Sequence, residues 1–161
     1  MNNIQSMLAI GGLSILSLTS LRFNSAILQT STVDVENKIS LTAISLADDL
    51  LEEIKVKSFD KSTTEFPTTN VESLTNPENL GPETGEVYPN YNDIDDYNNF
   101  IRDIDAPHAE GYEVTCKVQY VKENDPNDIN STPTFYKKVN VTVTNTYLSY
   151  PIYLSFIFTL K

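Results

Sequence analysis

The first 21 residues, MNNIQSMLAIGGLSILSLTSL, contain no charged side chain, and no proline occurs between Ile4 and Phe59. Gly11 and Gly12 are the only glycines in that interval. With nothing to remove a backbone donor or break the hydrogen-bond ladder, the stretch reads as one uninterrupted helix. At the usual rise per residue, a helix from about Ile4 to Phe59 is roughly 80 Å long. A domain of the remaining size is only about 30–35 Å across. Most of such a helix is expected to find its partners outside its own domain.

The helix divides by composition. Residues 1–28 form a hydrophobic segment diluted by Gly11, Gly12, Ser14, Ser17, Thr19 and Ser20 and interrupted by Arg22 and Asn24. Its length suffices to span a bilayer, which takes about 20 mostly apolar residues. Its small residues suit close helix–helix packing. A cleaved secretory signal fits less well, since no Lys or Arg precedes the apolar run and the helical pattern continues past any cleavage point. Residues 29–59 continue as an amphipathic helix. From Ala43 to Ile54 the apolar positions recur every three and four residues, with Asp48, Asp49, Glu52 and Glu53 on the opposite side.

Residues 60–110 read as a long acidic loop region. It holds Pro67, Pro77, Pro82, Pro89 and Pro107, together with Gly81 and Gly85. Within it Asp93, Asp95 and Asp96 lie in the densest run of acids. Hard oxygens at short spacing are a candidate Ca²⁺ set, although the central glycine of an EF-hand loop is missing. The competing reading is a solvated loop or a short helical turn. Residues 111–161 alternate in the manner of strands at 112–122, 135–146 and 152–160. They predict a three- to four-stranded antiparallel β-meander packed on the C-terminal half of the helix, an α+β fold. Val114, Cys116, Val118 and Tyr120, or their alternates, are expected to point inward.

Charge and motif content narrow the function classes. With 22 acidic against 11 basic side chains, the net charge is −11, which disfavours nucleic acid as a partner. Cys116 is the single cysteine and His108 the single histidine. No nucleophile elbow, phosphate loop, CxxC or HExxH pattern is present. The chain is expected not to be an enzyme, and to carry no cofactor other than the candidate calcium.

Several segments in order carry a family resemblance. Ile4-Gln5-Ser6-Met7-Leu8-Ala9-Ile10 resembles the start of a mature type IV pilin or type II secretion pseudopilin. Ala47–Lys55 followed by Ser58-Phe59-Asp60 is similar to the end of the long helix in minor pilins and pseudopilins. Asp93–Phe100 resembles their acidic DDYNGF loop, with Asn99 at the usual glycine. Two strands follow, at Tyr112–Val121 and Tyr136–Thr144. The family usually has glutamate where this chain has Gln5, and no basic leader precedes Met1. Met1 therefore stands either as a processed residue or as an initiator.

The resemblance implies a structural subunit of a pilus-like helical filament, a homo-oligomer assembled through the N-terminal helix. Met1, Ile4, Gln5, Met7, Leu8, Ile10, Leu13 and Leu16 are the implied assembly residues. The subunit would be anchored in a bacterial inner membrane before assembly, and afterwards lie in an extracellular or periplasmic filament. The alternatives are a minor pseudopilin of a secretion machine, or a membrane-anchored binding domain that never polymerises.

Overall fold

The computed structural model describes residues 3–160. One helix, α1 (Asn3–Lys55), is followed by an antiparallel sheet of five strands. These are β1 (Phe100–Ala106), β2 (Ala109–Lys122), β3 (Asp125–Ile129), β4 (Tyr136–Thr144) and β5 (Ile152–Thr159). The order is β1-β2-β4-β5, with β3 pairing to the far end of β2. The α+β expectation is met, and the helix ends at Lys55, a turn short of Phe59. The chain divides into two compact units at Lys38 and Ile39.

In the unit formed by residues 39–160, α1 buries Ile39, Ala43, Ala47, Leu50, Leu51 and Ile54. These positions repeat at helical spacing and make one stripe. Ala43 and Ala47 are fully buried, and having no side chain beyond Cβ they let the helix backbone approach the sheet. Facing them are Tyr112, Val114, Cys116, Val118 and Tyr120 of β2, all buried, in the parity expected from alternation. On β4 the inward row is Lys137, Val139, Val141 and Val143. The register sets Cys116 opposite Val141, Val118 opposite Val139 and Tyr120 opposite Lys137. Burial pushes the Cys116 thiol up to about 12, as suits a small core hydrophobe.

Two strands lie where loop or turn was expected. Residues 100–106, within the expected loop, form β1 and pair with β2 from Phe100↔Cys116 to Ile104↔Tyr112. Phe100 is the one buried residue of β1, and Arg102, Asp103 and Asp105 interrupt its apolar positions, so this edge strand lacks a core signature. Pro107 and His108 make its connection to β2, with His108 at φ 78°. Asp125, Pro126 and Asn127 begin β3, in the connection between the strands expected at 112–122 and 135–146. Proline is tolerated there because β3 is itself an edge strand.

Between α1 and β1 the chain forms four single-turn 3₁₀ segments, at Lys61–Thr63, Val71–Ser73, Pro77–Asn79 and Asp95–Tyr97. Side chains organise this stretch. Asp60 and Asn70 accept N–H groups at the starts of the first two turns, and Asn98 Nδ2 donates to the Leu80 carbonyl at 2.9 Å. Ser58 pairs with Asp93 in an isolated parallel bridge, which brings the acidic run against the end of the helix.

Candidate functional site

Two features carry chemistry that the fold alone does not require. The first is the surface of residues 3–38. Ile4, Met7, Leu8, Ile10, Leu13 and Leu16 are each more than 60% exposed, and Gln5 is exposed beside them. Met1 lies outside the described residues. Ile15, Leu18, Leu21, Phe23, Ile27 and Leu28 are exposed as well. A helix apolar all round is the pattern of one that is covered on every side, in a large core or a membrane. α1 holds an 18-residue window long and apolar enough to cross a membrane.

Three of its hydroxyls are compatible with that environment. Ser14 donates to the Ile10 carbonyl at 2.8 Å, Thr19 to Leu16 at 2.9 Å and Ser25 to Leu21 at 3.0 Å. Each hydroxyl hydrogen is thus satisfied within the helix. Such back-bonding is how Ser and Thr enter hydrocarbon without an orphaned donor.

The second feature is a fully buried ammonium. Lys137 of β4 is 0% exposed. Its Nζ donates to the Phe59 carbonyl at 2.7 Å and to Asp60 Oδ2 at 3.0 Å. It also lies 2.5 Å from Asp95 Oδ1, a close approach without hydrogen-bond directionality. The rings of Phe59 and Tyr120 stand 4.4 and 5.0 Å from Nζ. They supply cation–π attraction where water is excluded.

The carboxylates around this ammonium differ in kind. Asp60 accepts the backbone N–H of Ser62 at 3.0 Å, the Ser62 hydroxyl at 2.9 Å and the N–H of Thr75 at 2.9 Å. Burial acts to raise its pKa, but the Lys137 ammonium and these backbone donors outweigh burial and hold Asp60 well below the usual carboxylate range. Asp95 receives no hydrogen bond on either oxygen among the described residues. Burial pushes it up to about 8, against the pull of Lys137 and with added repulsion from Asp93 and Asp60. The short contact and the upward shift oppose each other. Asp60 already neutralises the ammonium, so burial prevails and favours the neutral acid at Asp95.

The sequence-predicted acids serve different neighbours. Asp93 Oδ1 accepts the Asp95 N–H at 2.7 Å, while burial and the Asp96 charge push Asp93 up to about 6. Asp96 Oδ2 accepts the N–H groups of Asn92 and Asp93 at 2.8 and 3.2 Å. Oxygens of Asp96, Glu83 and Glu86 converge to within 4.8 Å of one another. The run is a short helical turn, but Asp93, Asp95 and Asp96 are buried and not solvated. The packing of the turn explains that burial: Lys137 lies on one side, and on the other the ring cluster of Tyr88, Tyr91, Tyr97 and Phe100.

Asp60, Lys137, Glu83, Glu86 and Glu53 were not singled out from sequence. Lys137 had a signal: it shares the parity of Val139, Val141 and Val143. Glu53 accepts from Tyr97 at 2.7 Å and from Tyr88 at 3.1 Å, contacts that nothing local announces.

No protein-family model matches this chain, and neither a curated protein nor a solved structure shows detectable similarity to it.

Removing the ammonium leaves buried carboxyl groups uncompensated. Lys137→Met is expected to cost about 3–5 kcal/mol in equilibrium unfolding of the full chain. Lys61→Met, which breaks the exposed pair with Glu83, is expected to leave the transition almost unmoved. Equal effects from the two variants would contradict this assignment.

Proposed function

We propose that this chain is a structural subunit of a type IV pilus-like extracellular filament, held in a membrane through its N-terminal helix before assembly. The observation that carries the reading is the apolar surface of residues 4–28, whose large aliphatic side chains are exposed and in which Ser14, Thr19 and Ser25 bond back to the helix. Fully burying one such aliphatic side chain is worth about 1.5–3 kcal/mol, so the segment strongly favours a covered state. Lipid supplies the first cover and sibling helices the second, so polymerisation exchanges one apolar environment for another. Ile4, Met7, Leu8, Ile10, Leu13 and Leu16 are the packing residues in this account.

Gln5 supports a second reading, a minor subunit at a filament end. A neutral amide accepts a hydrogen bond from a neighbouring amine but supplies no charge pairing, and it costs less to desolvate than a carboxylate. A non-polymerising anchored domain needs only a span and a short linker, whereas α1 continues as one helix to Lys55.

The reading also includes a cation. Glu83 Oε2 and Asp96 Oδ1 are buried and accept no hydrogen bond, and with Glu86 they present converging oxygens of the kind Ca²⁺ takes. Glu83, Glu86 and Asp96 would hold it.

Two measurements test these readings. Sheared surface material from cells expressing the chain is expected to contain filaments by electron microscopy, with this chain along their length. Leu13→Lys, costing about 2.5–3.5 kcal/mol at a mid-membrane position, is expected to abolish them. Labelling confined to filament ends selects the minor-subunit reading, and a wild-type chain found only as a detergent-solubilised monomer refutes both. Calcium is expected to raise the melting temperature of the full chain by several degrees, and Glu86→Gln to remove that rise. A wild-type melting temperature indifferent to calcium and to chelator rules the ion out.

A further inference from the structure

An amine and a carboxyl group in water remain an ion pair, because both ions are well hydrated and the ammonium has no free lone pair. They condense when three conditions meet: rigid contact, exclusion of water and a neighbour that carries protons. The Lys137 cage meets all three. Lys137 sits on a central strand, and Asp95 on a turn tied to the helix end by the Ser58–Asp93 bridge. Their side chains are 0% and 3% exposed, with Nζ 2.5 Å from Oδ1. Phe59 and Tyr120 cover the ammonium.

The two nearby carboxyl groups are not equivalent. Asp60 is saturated by Ser62, Thr75 and Tyr120 (its hydroxyl 3.2 Å from Oδ2), and these donors stabilise its charge. Such a carboxylate is a poor electrophile but a well-placed proton carrier, hydrogen-bonded to Nζ at 3.0 Å. Apart from the close approach of the Lys137 ammonium itself, Asp95 has no partner on either oxygen among the described residues. Its carboxyl carbon is therefore the one open to attack.

From this geometry we infer that Lys137 and Asp95 become joined by an intramolecular amide bond between Nζ and Cγ, with Asp60 moving the protons. Asp60 takes one proton from the Lys137 ammonium. The freed lone pair forms the N–C bond to Asp95 Cγ, and the carbonyl electrons move onto oxygen. One proton from nitrogen then passes to the Asp95 hydroxyl oxygen, which leaves as water as its C–O bond breaks and the carbonyl re-forms. The balance is –NH₃⁺ plus –COOH giving –NH–CO–, H₂O and one H⁺, with no oxidant or reductant; Asp60 holds that proton until it is lost to solvent and Asp60 returns to its carboxylate. The bond would pin the stretch between α1 and β1 to the middle of the sheet. This inference stands apart from whether the chain polymerises.

Intact-mass measurement on the full folded chain tests it. The main species is expected to be lighter than the sequence by one water. Trypsin should then release a branched peptide joining residues 62–102 to residues 123–138, since a modified Lys137 is no longer cleaved. Fragment ions should place the branch at Asp95. Asp95→Ala, which keeps the Asp60 partner of Lys137, is expected to restore the full mass of its own sequence. Asp60→Asn is expected to leave a large unlinked fraction. A cooperatively folded wild-type chain at its full sequence mass overturns the inference, and so does a water loss mapped to any other residue.

Discussion

The burial of one ammonium group organises the sheet unit. A lone cation in a protein interior is costly, and it persists only where charge and hydrogen bonds compensate it. Lys137 meets partners from two places far apart in sequence: the Phe59 carbonyl and Asp60 just beyond α1, and Asp95 in the turn before β1. Each contact fixes one of these segments against β4. The irregular stretch between α1 and β1 thereby gains an anchor that its own backbone hydrogen bonds do not supply.

The same stretch is held a second time from the helix side. Glu53 accepts from Tyr97 and Tyr88, and Arg102 of β1 donates to the Tyr88 hydroxyl at 2.9 Å. Edge-to-face contacts among Tyr88, Tyr91 and Tyr97 fill the space between. Burial and the Glu53 carboxylate push the Tyr97 phenol far above its ordinary range, which keeps it a donor at any physiological pH. Asp60 and Glu53, near the end of α1, thus act as acceptors that order the irregular segment leading to β1.

Periodicity made much of this legible. Proline-free continuity predicted α1, and period-two alternation located β2, β4 and β5; it left two parities open for β2, and the structure turns Val114, Cys116, Val118 and Tyr120 inward. On β4, Lys137 shares the parity of the buried Val139, Val141 and Val143, so a lysine on the apolar face of a strand was the readable trace of the cage. Its partners were not readable. Asp60 and Asp95 reach Lys137 only through the tertiary fold, and an aspartate that will be buried looks like one that will be solvated. β1 escaped because Arg102, Asp103 and Asp105 interrupt its apolar residues, and on this edge strand only Phe100 is buried. The converging oxygens of Glu83, Glu86 and Asp96 come from two parts of the loop, beyond any local pattern.

Amide hydrogen exchange of the full chain tests most directly whether side-chain anchoring orders the irregular segment. The backbone N–H groups of Thr75, Ile94 and Asn98 donate to Asp60, Ser58 and Asp95, outside any strand. They are predicted to exchange only with the opening that exposes β2 and β4, at comparable free energy. Exchange of these amides at rates near those of an unstructured peptide, while β2 and β4 stay protected, would contradict the account.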